Sequence, residues 1–469
     1  MGKILSAYIF PHPPLIIPEV GKGEELGAIK TIEAAKKAAN EIKEEKPTTI
    51  IITTPHGPVF QDYIYISTSN TLYGSFAKFG SSQVSMEFEN NTSLVSEIIK
   101  NAEAEGILAG GLEEGLIKKY KVSKELDHGA LVPLYYINKE YKAFKIVHIS
   151  IAGLMPQELY KFGMCIAKAV NDSNERVVFV ASGDLSHRLS KDAPYGFNKQ
   201  GKEFDDMFID SVKHLNVERL IEADEELCEN AGECGLKSFL MMFGAVDGLD
   251  LKSEVYSYEG PFGVGYSIAS FLVGEENPNR QVLRILDEKN AKRISAIRTD
   301  EDPYVRQARR ALENYIYHKS IIAVSNDFPS EMLSNKAGTF VSIKKYGALR
   351  GCIGTTEPTR KNIAEEIIYN AISSGTRDPR FDPIEADELD KLVYSVDVLK
   401  QAESIDSIEE LDVVKYGVIV RCAHRSGLLL PNLEGVDTPE KQLSIALQKA
   451  GIKPTEKYMM ERFEVIRHK

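Results

Sequence analysis

Apolar residues in the first half of the chain follow two alternating patterns. Short β-prone runs stop at prolines or polar residues, and between them apolar residues recur at helical spacing. Lys3–Phe10 (KILSAYIF) is the first run and ends at Pro11; Thr48–Thr54 (TTIIITT) is the second and ends at Pro55. Between them Leu26, Ile29, Ala35, Ala39 and Ile42 recur among charges, so Glu24–Glu45 reads as a helix. A strand–helix–strand unit of this kind sets its strands parallel through a right-handed crossover. Lys145–Ile151, Arg176–Ala181 and Tyr266–Val273 repeat the strand signal, and Pro156–Val170, Gln200–His214 and Gly235–Phe243 read as helices. We expect an α/β N-terminal domain with a mostly parallel sheet flanked by helices.

The pattern changes after Val273. Gly274–Asp302 holds GEENPN, a charged helical stretch and TDEDP, the marks of a domain boundary. We expect one domain over 1–275, a linker over 276–299 and a second domain over 300–469. In the last third, a helix at Tyr304–Tyr317 precedes a strand at Gly338–Lys345 and a loop at Gly347–Gly354 (GALRGCIG). A helix at Arg360–Ser373, a strand at Lys391–Leu399 and a hairpin around AHRS (423–426) follow. Thr438 caps a final helix with Pro439 at its first position. This is an α+β pattern.

Composition narrows the class. A chain of 469 residues exceeds one compact core, and 43% hydrophobic with 27% charged residues is ordinary for globular protein. The net charge of −12 argues against a nucleic-acid partner. Five cysteines, odd in number and with no CxxC pair, read as reduced thiols of a cytoplasmic protein without a structural zinc site. No stretch of about 20 apolar residues and no signal-peptide pattern occurs, so no membrane association is expected. GxxxxGK[ST] and GxSxG are both missing, and Gly263-Val264-Gly265 lacks the third glycine of a dinucleotide loop.

The candidate chemistry gathers at strand ends. His12 and His56 each lie two residues past a strand, so a parallel sheet brings both to its carboxyl edge, where open α/β sheets bind ligands. Prolines stiffen both loops (PHPP and PHGP). Two such imidazoles begin a site for Zn, Fe, Cu or Ni; loop histidines bonded to backbone are the plain alternative. The strand Arg176–Ala181 runs into Ser182-Gly183-Asp184-Leu185-Ser186-His187, which adds a carboxylate and an imidazole that can move a proton near neutral pH. His128 lies in a loop before an apolar run. Glu233 and Cys234 precede a short apolar helix, and either can supply an anionic ligand; a Glu that complements the helix dipole competes with this. Arg350 and Cys352 sit in the GALRGCIG turn. Cys352 reads as a nucleophile activated by Arg350 or as a structural thiol, and Arg350, Arg377 and Arg380 as an anion-binding cluster.

Pro11-His12-Pro13, Pro55-His56-Gly57, Asp127-His128-Gly129, Gly183-Asp184-Leu185-Ser186-His187 and Gly232-Glu233-Cys234-Gly235 together resemble the class III extradiol dioxygenase superfamily, and most of all its Memo-like branch, over about residues 1–273. The dioxygenase resemblance implies His12, His56 and Glu233 as Fe(II) ligands, His187 as acid/base and His128 as a substrate contact. The Memo branch implies Cys234 as third ligand, and Asp184 matches that branch. Leu349-Arg350-Gly351-Cys352-Ile353-Gly354, Arg377-Asp378-Pro379-Arg380-Phe381 and Gly427-Leu428-Leu429-Leu430-Pro431 resemble the AMMECR1 domain over about residues 300–469. The fusion resembles the two-domain component of the AmmeMemoRadiSam system, which implies a radical-SAM protein as partner.

We therefore expect a divalent metal, Fe(II) with Zn or Cu as alternatives, on His12, His56 and Glu233 or Cys234. His187 is expected to shuttle protons, with His128 or Asp184 orienting a chelating or aromatic small molecule in the presence of O2. A binding or adaptor protein and a zinc-type metallo-hydrolase are the competing readings.

Overall fold

Thr49–Thr54 is buried along its whole length, and its alternate side chains serve two cores. Ile51 packs into one cluster with the helices Pro156–Asn171, Lys199–His214 and Leu236–Ala245; Ile50 and Ile52 pack into another with Ile29–Glu45 and His128–Glu140. A strand covered on both faces shows as a continuous apolar run rather than an alternation. The computed structural model describes residues 1–325, 327–433 and 435–469 and divides into two units, Met1–Leu286 and Asp287–Lys469. The division falls within the helix Val282–Thr299, in the stretch expected as linker.

Six strands of the first unit form one sheet, in the order Lys145–Ser150, Thr49–Thr54, Arg176–Ser182, Lys3–Phe10, Tyr266–Glu276, Leu249–Glu259. The first four run parallel, and the last two join antiparallel. This is the expected mostly parallel sheet with helices on both faces. Lys3–Phe10 and Thr49–Thr54 are parallel but not neighbours, because Arg176–Ser182 lies between them. Its Ala181 pairs with both Ile9 and Thr53. Three strand ends are thereby level, and His12 and His56 stand at equal offsets beyond them.

The second unit is α+β, as expected. Pro303–His318 and Ile363–Thr376 pack on an antiparallel sheet ordered Ala348–Gly354, Thr339–Lys345, Leu392–Leu399, Val465–His468. A second antiparallel sheet of Glu403–Ile405, Met459–Phe463, Gly417–Cys422 and Arg425–Leu429 packs on the helix Pro439–Ala450. No helix among the described residues is long and apolar enough to cross a membrane.

Two local expectations are corrected. His128 is not in a loop but opens the helix His128–Glu140, with Asp127 as N-cap accepting the Ala130 N–H at 3.2 Å. GALRGCIG is not a loop but the strand Ala348–Gly354, paired antiparallel with Thr339–Lys345. Tyr346 and Gly347, with φ of 51° and 88°, make the tight turn between them. The strand signal was hidden because an inward position is a glycine. A Cβ on Gly351 would lie 2.1 Å from the Ser374 carbonyl oxygen.

Candidate metal centre

Three imidazoles converge at the carboxyl edge of the first unit's sheet. The Nε2 atoms of His12 and His56 are 2.9 Å apart, and one ring nitrogen each of His12, His56 and His128 lies within 4.8 Å of the others. His12 is buried, His128 is half-buried and His56 is exposed at the mouth. A cavity of about 530 Å³ opens beside His56, lined by Phe60, Lys78, Tyr120 and Asp127 among others.

The tautomer of His12 follows from its neighbours. Pro133 lies inside the helix His128–Glu140 and has no N–H for the carbonyl of Gly129. That carbonyl instead accepts the Ser182 hydroxyl at 2.6 Å. The hydroxyl has one proton, so its bond with His12 Nδ1, at 2.9 Å, has the imidazole as donor. His12 therefore carries its proton on Nδ1 and presents a bare Nε2 to the cluster. Burial and the neighbouring His56 keep the ring neutral by pushing its pKa well below the usual histidine range. Burial, His56 and His12 likewise push His128 down to about 3.

Asp127 is held beside the cluster by Thr54 and His148. Its Oδ1 accepts the Thr54 hydroxyl at 2.6 Å, and the Thr54 oxygen accepts the His56 backbone N–H at 3.2 Å. Its Oδ2 faces His148 Nε2 at 3.0 Å, and His148 Nδ1 faces the Ser67 hydroxyl at 2.9 Å. Burial opposes the charge on Asp127, but these bonds hold its carboxyl well below the usual range. His148 was missed in the sequence; its one signal was a polar residue inside an apolar strand.

Asp184 accepts the His12 backbone N–H at 2.9 Å, and its Oδ2 stands 3.8 Å from His12 Nε2 and 3.9 Å from His187 Nε2. Burial pushes its carboxyl up to about 6, against the pull of His187 and the His12 N–H. Cys234 Sγ lies 3.6 Å from His12 Nε2 and accepts the Asp184 N–H at 3.3 Å. Burial raises its thiol. Glu233 turns away, with its Oε2 accepting the Leu236 N–H at 2.7 Å at the start of the helix Leu236–Ala245. Among the described residues no hydrogen bond or ion pair joins Glu233 to a histidine of the cluster. The two neighbours left open in the sequence are thus separated: the thiol faces His12 and the carboxylate serves the helix end.

In the second unit Arg350 forks onto Glu388, at 2.8 and 3.0 Å, and Arg380 onto Asp378, at 2.7 and 2.9 Å. Two of the three arginines expected as an anion-binding cluster, Arg350 and Arg380, thus already have carboxylate partners. Cys352 accepts the Ser342 hydroxyl at 3.2 Å, and its own N–H is held by Asp378.

Comparison with known proteins agrees with both halves. Residues 6–269 match the family described as the catalytic LigB subunit of aromatic ring-opening dioxygenase, and residues 305–468 match AMMECR1. A protein of Clostridium acetobutylicum is 46% identical over 463 residues, covering 98% of each chain. One from Thermotoga maritima is 52% identical over 153 residues, 32% of this chain and 88% of its own. Among solved structures, a Pyrococcus horikoshii protein is 34% identical with a TM-score of 0.33, covering 35% of this chain and 88% of its own. An Escherichia coli protein is 13% identical with a TM-score of 0.40, covering 57% of this chain and 99% of its own.

Proposed function

Since the chain belongs to the family of the catalytic LigB subunit of aromatic ring-opening dioxygenase, and carries an AMMECR1 domain behind it, we propose that its first unit is a metal-dependent dioxygenase site. The carrying observation is the convergence of His12, His56 and His128 at one sheet edge, with Cys234 Sγ 3.6 Å from His12 Nε2. Nitrogen and sulfur ligands bound to one ion at about 2.0–2.3 Å stand roughly 3.3–3.6 Å apart. The contacts of 2.9 Å between the two Nε2 atoms and 3.6 Å between His12 Nε2 and Cys234 Sγ are of this order. The residues fit a divalent ion, with His128 facing them from the next helix.

For a dioxygenase the ion would be Fe(II) rather than zinc, because zinc has no redox chemistry with which to engage O2. When bound, it supplies open positions for O2 and a chelating aromatic or related small molecule. The chain's own groups do the rest. His12 binds through a bare Nε2 whose orientation Ser182 sets, and His56 through the Nε2 that faces it at 2.9 Å. His187 Nε2, 3.9 Å from the Asp184 carboxylate, holds or moves a proton at the substrate. The relative from Clostridium acetobutylicum matches along both units, which supports a role that needs both on one chain. A radical-SAM protein is the partner that the resemblance of the fusion implies.

Metal analysis of anaerobically purified protein tests the reading. We expect stoichiometric iron, lost in His12→Ala. Trace metal in the wild type, or unchanged metal in the variant, sinks it. Zinc with turnover that persists without O2 would replace it by the hydrolase reading.

A further inference from the structure

We infer that Arg188, with His187 beside it, is the recognition point for an anionic group, a carboxylate or phosphate, on the ligand of this cleft. The inference rests on the reading of the cleft as a substrate site and names the class of molecule it takes.

Residues 183–198 connect the strand Arg176–Ser182 to the helix Lys199–His214. Their backbone is pinned at many points. His187 N–H donates to the Ala231 carbonyl, Leu189 N–H to that of Gly263, and Ser186 N–H to Asp205 Oδ1. The Arg188 N–H donates to the Ser186 hydroxyl, and its carbonyl accepts the Asn198 N–H. The side chain of Arg188 is uncommitted. It is half-buried, its Nε is buried without a partner, and no ion pair joins it among the described residues. The adjacent His187 also has a buried Nδ1 without a partner.

A guanidinium withdrawn from water without a counter-charge is costly. The chain has 69 acidic against 57 basic residues, so acidic partners are not scarce. Half-buried Arg350 has one, and Arg306, whose Nε is likewise buried without a partner, lies over the Phe328 ring at 5.2 Å. The position of Arg188 gives the omission a use. A Cβ at Gly232 would meet Arg188 Nε at 3.5 Å and the Tyr195 ring at 3.2 Å, and that ring lies 5.7 Å from His187. His187 in turn faces Asp184, which faces His12. Tyr195 and Phe197 are 63% and 60% exposed on the same loop, so the patch offers flat apolar surface beside its free cation. An organic anion satisfies both, with its charged group taken by the arginine fork.

Calorimetric titration of the full-length protein with inorganic phosphate and with benzoate tests this, as purified and again after EDTA. Wild type should bind at least one of them, which also tells phosphate from carboxylate. Arg188→Met should weaken that binding about tenfold or more, the usual worth of a charge-assisted fork, with Arg188→Lys in between. Without the anion, Arg188→Met should melt no lower than wild type, since it removes an unpaired charge. Should the methionine variant fail to fold, Arg188→Lys carries the comparison alone. No binding of either anion by the wild type, equal affinity in the variants, or binding that vanishes with EDTA overturns the inference. Metal content measured on the same samples separates the two readings. Wild type that binds anion but no metal refutes only the dioxygenase site, and metal without anion refutes only this.

Discussion

The Ser182 hydroxyl lies 2.9 Å from His12 Nδ1 and 2.6 Å from the Gly129 carbonyl oxygen, and this single proton count fixes which His12 nitrogen is bare. Ser182 is thus the partner that aims His12. Ser182→Ala should leave the fold intact and lower metal affinity by about 10–100-fold, as loss of such supporting bonds does. Competition with a chelator of known affinity measures it. An unchanged affinity would mean that the ring is oriented by its packing alone.

One step further back, Pro133 leaves the Gly129 carbonyl free for Ser182. Pro133→Ala restores an N–H one helical turn beyond that carbonyl and sets it in competition with the hydroxyl. Removing a proline from a helix interior also relieves a cost of about 3 kcal/mol. We expect a melting temperature equal to or above wild type together with weaker metal binding. A variant that is less stable, or that binds metal as before, contradicts the chain from Pro133 to His12.

The sequence made some of this legible and concealed the rest for physical reasons. His12 and His56 could be placed because each follows a doubly buried strand that stops at a proline, so strand end and histidine are read together. The roles of Ser182, Asp127 and His148 could not. Their contacts join positions 170, 73 and 21 residues apart, and nothing in a local pattern marks a serine as a tautomer lock. Asp205 was passed over inside the helical stretch Gln200–His214, although a carboxylate among Phe204, Phe208 and Val212 was the available signal. The strand through LRGCIG was read as a loop because Gly351 occupies an apolar position.

Asp205 offers a pH test away from the metal ligands. Its carboxylate is fully buried and accepts the Ser186 N–H and the Tyr258 hydroxyl, both at 2.8 Å. Burial outweighs those bonds and pushes it up to about 6 from 3.8. A group raised on folding contributes stability that is present below its unfolded pKa and lost as pH rises through its folded one. Wild type should therefore lose stability relative to Asp205→Asn between about pH 4 and pH 6, by on the order of 3 kcal/mol. Urea unfolding of both proteins at pH 4 and pH 7.5 reads this out. A stability difference independent of pH would show that Asp205 is ionised at ordinary values.

The neighbours Glu233 and Cys234 should separate cleanly by substitution. Cys234 Sγ faces His12 Nε2, whereas the Glu233 carboxylate caps Leu236 N–H. Cys234→Ala leaves two histidines from the level strand ends and His128 to hold the ion. It should lower affinity by more than tenfold, and a Co(II)-loaded wild type should lose its thiolate charge-transfer band in the variant. Glu233→Gln keeps an oxygen for Leu236 and should bind metal as wild type does. Its melting temperature should stay close to wild type, because a neutral amide is more easily buried than a carboxylate that burial has pushed up to about 7. The reverse pattern, with metal lost in Glu233→Gln and kept in Cys234→Ala, would require the Glu233 side chain to leave the helix end when the ion binds. The third ligand would then be the Glu233 carboxylate rather than the Cys234 thiolate.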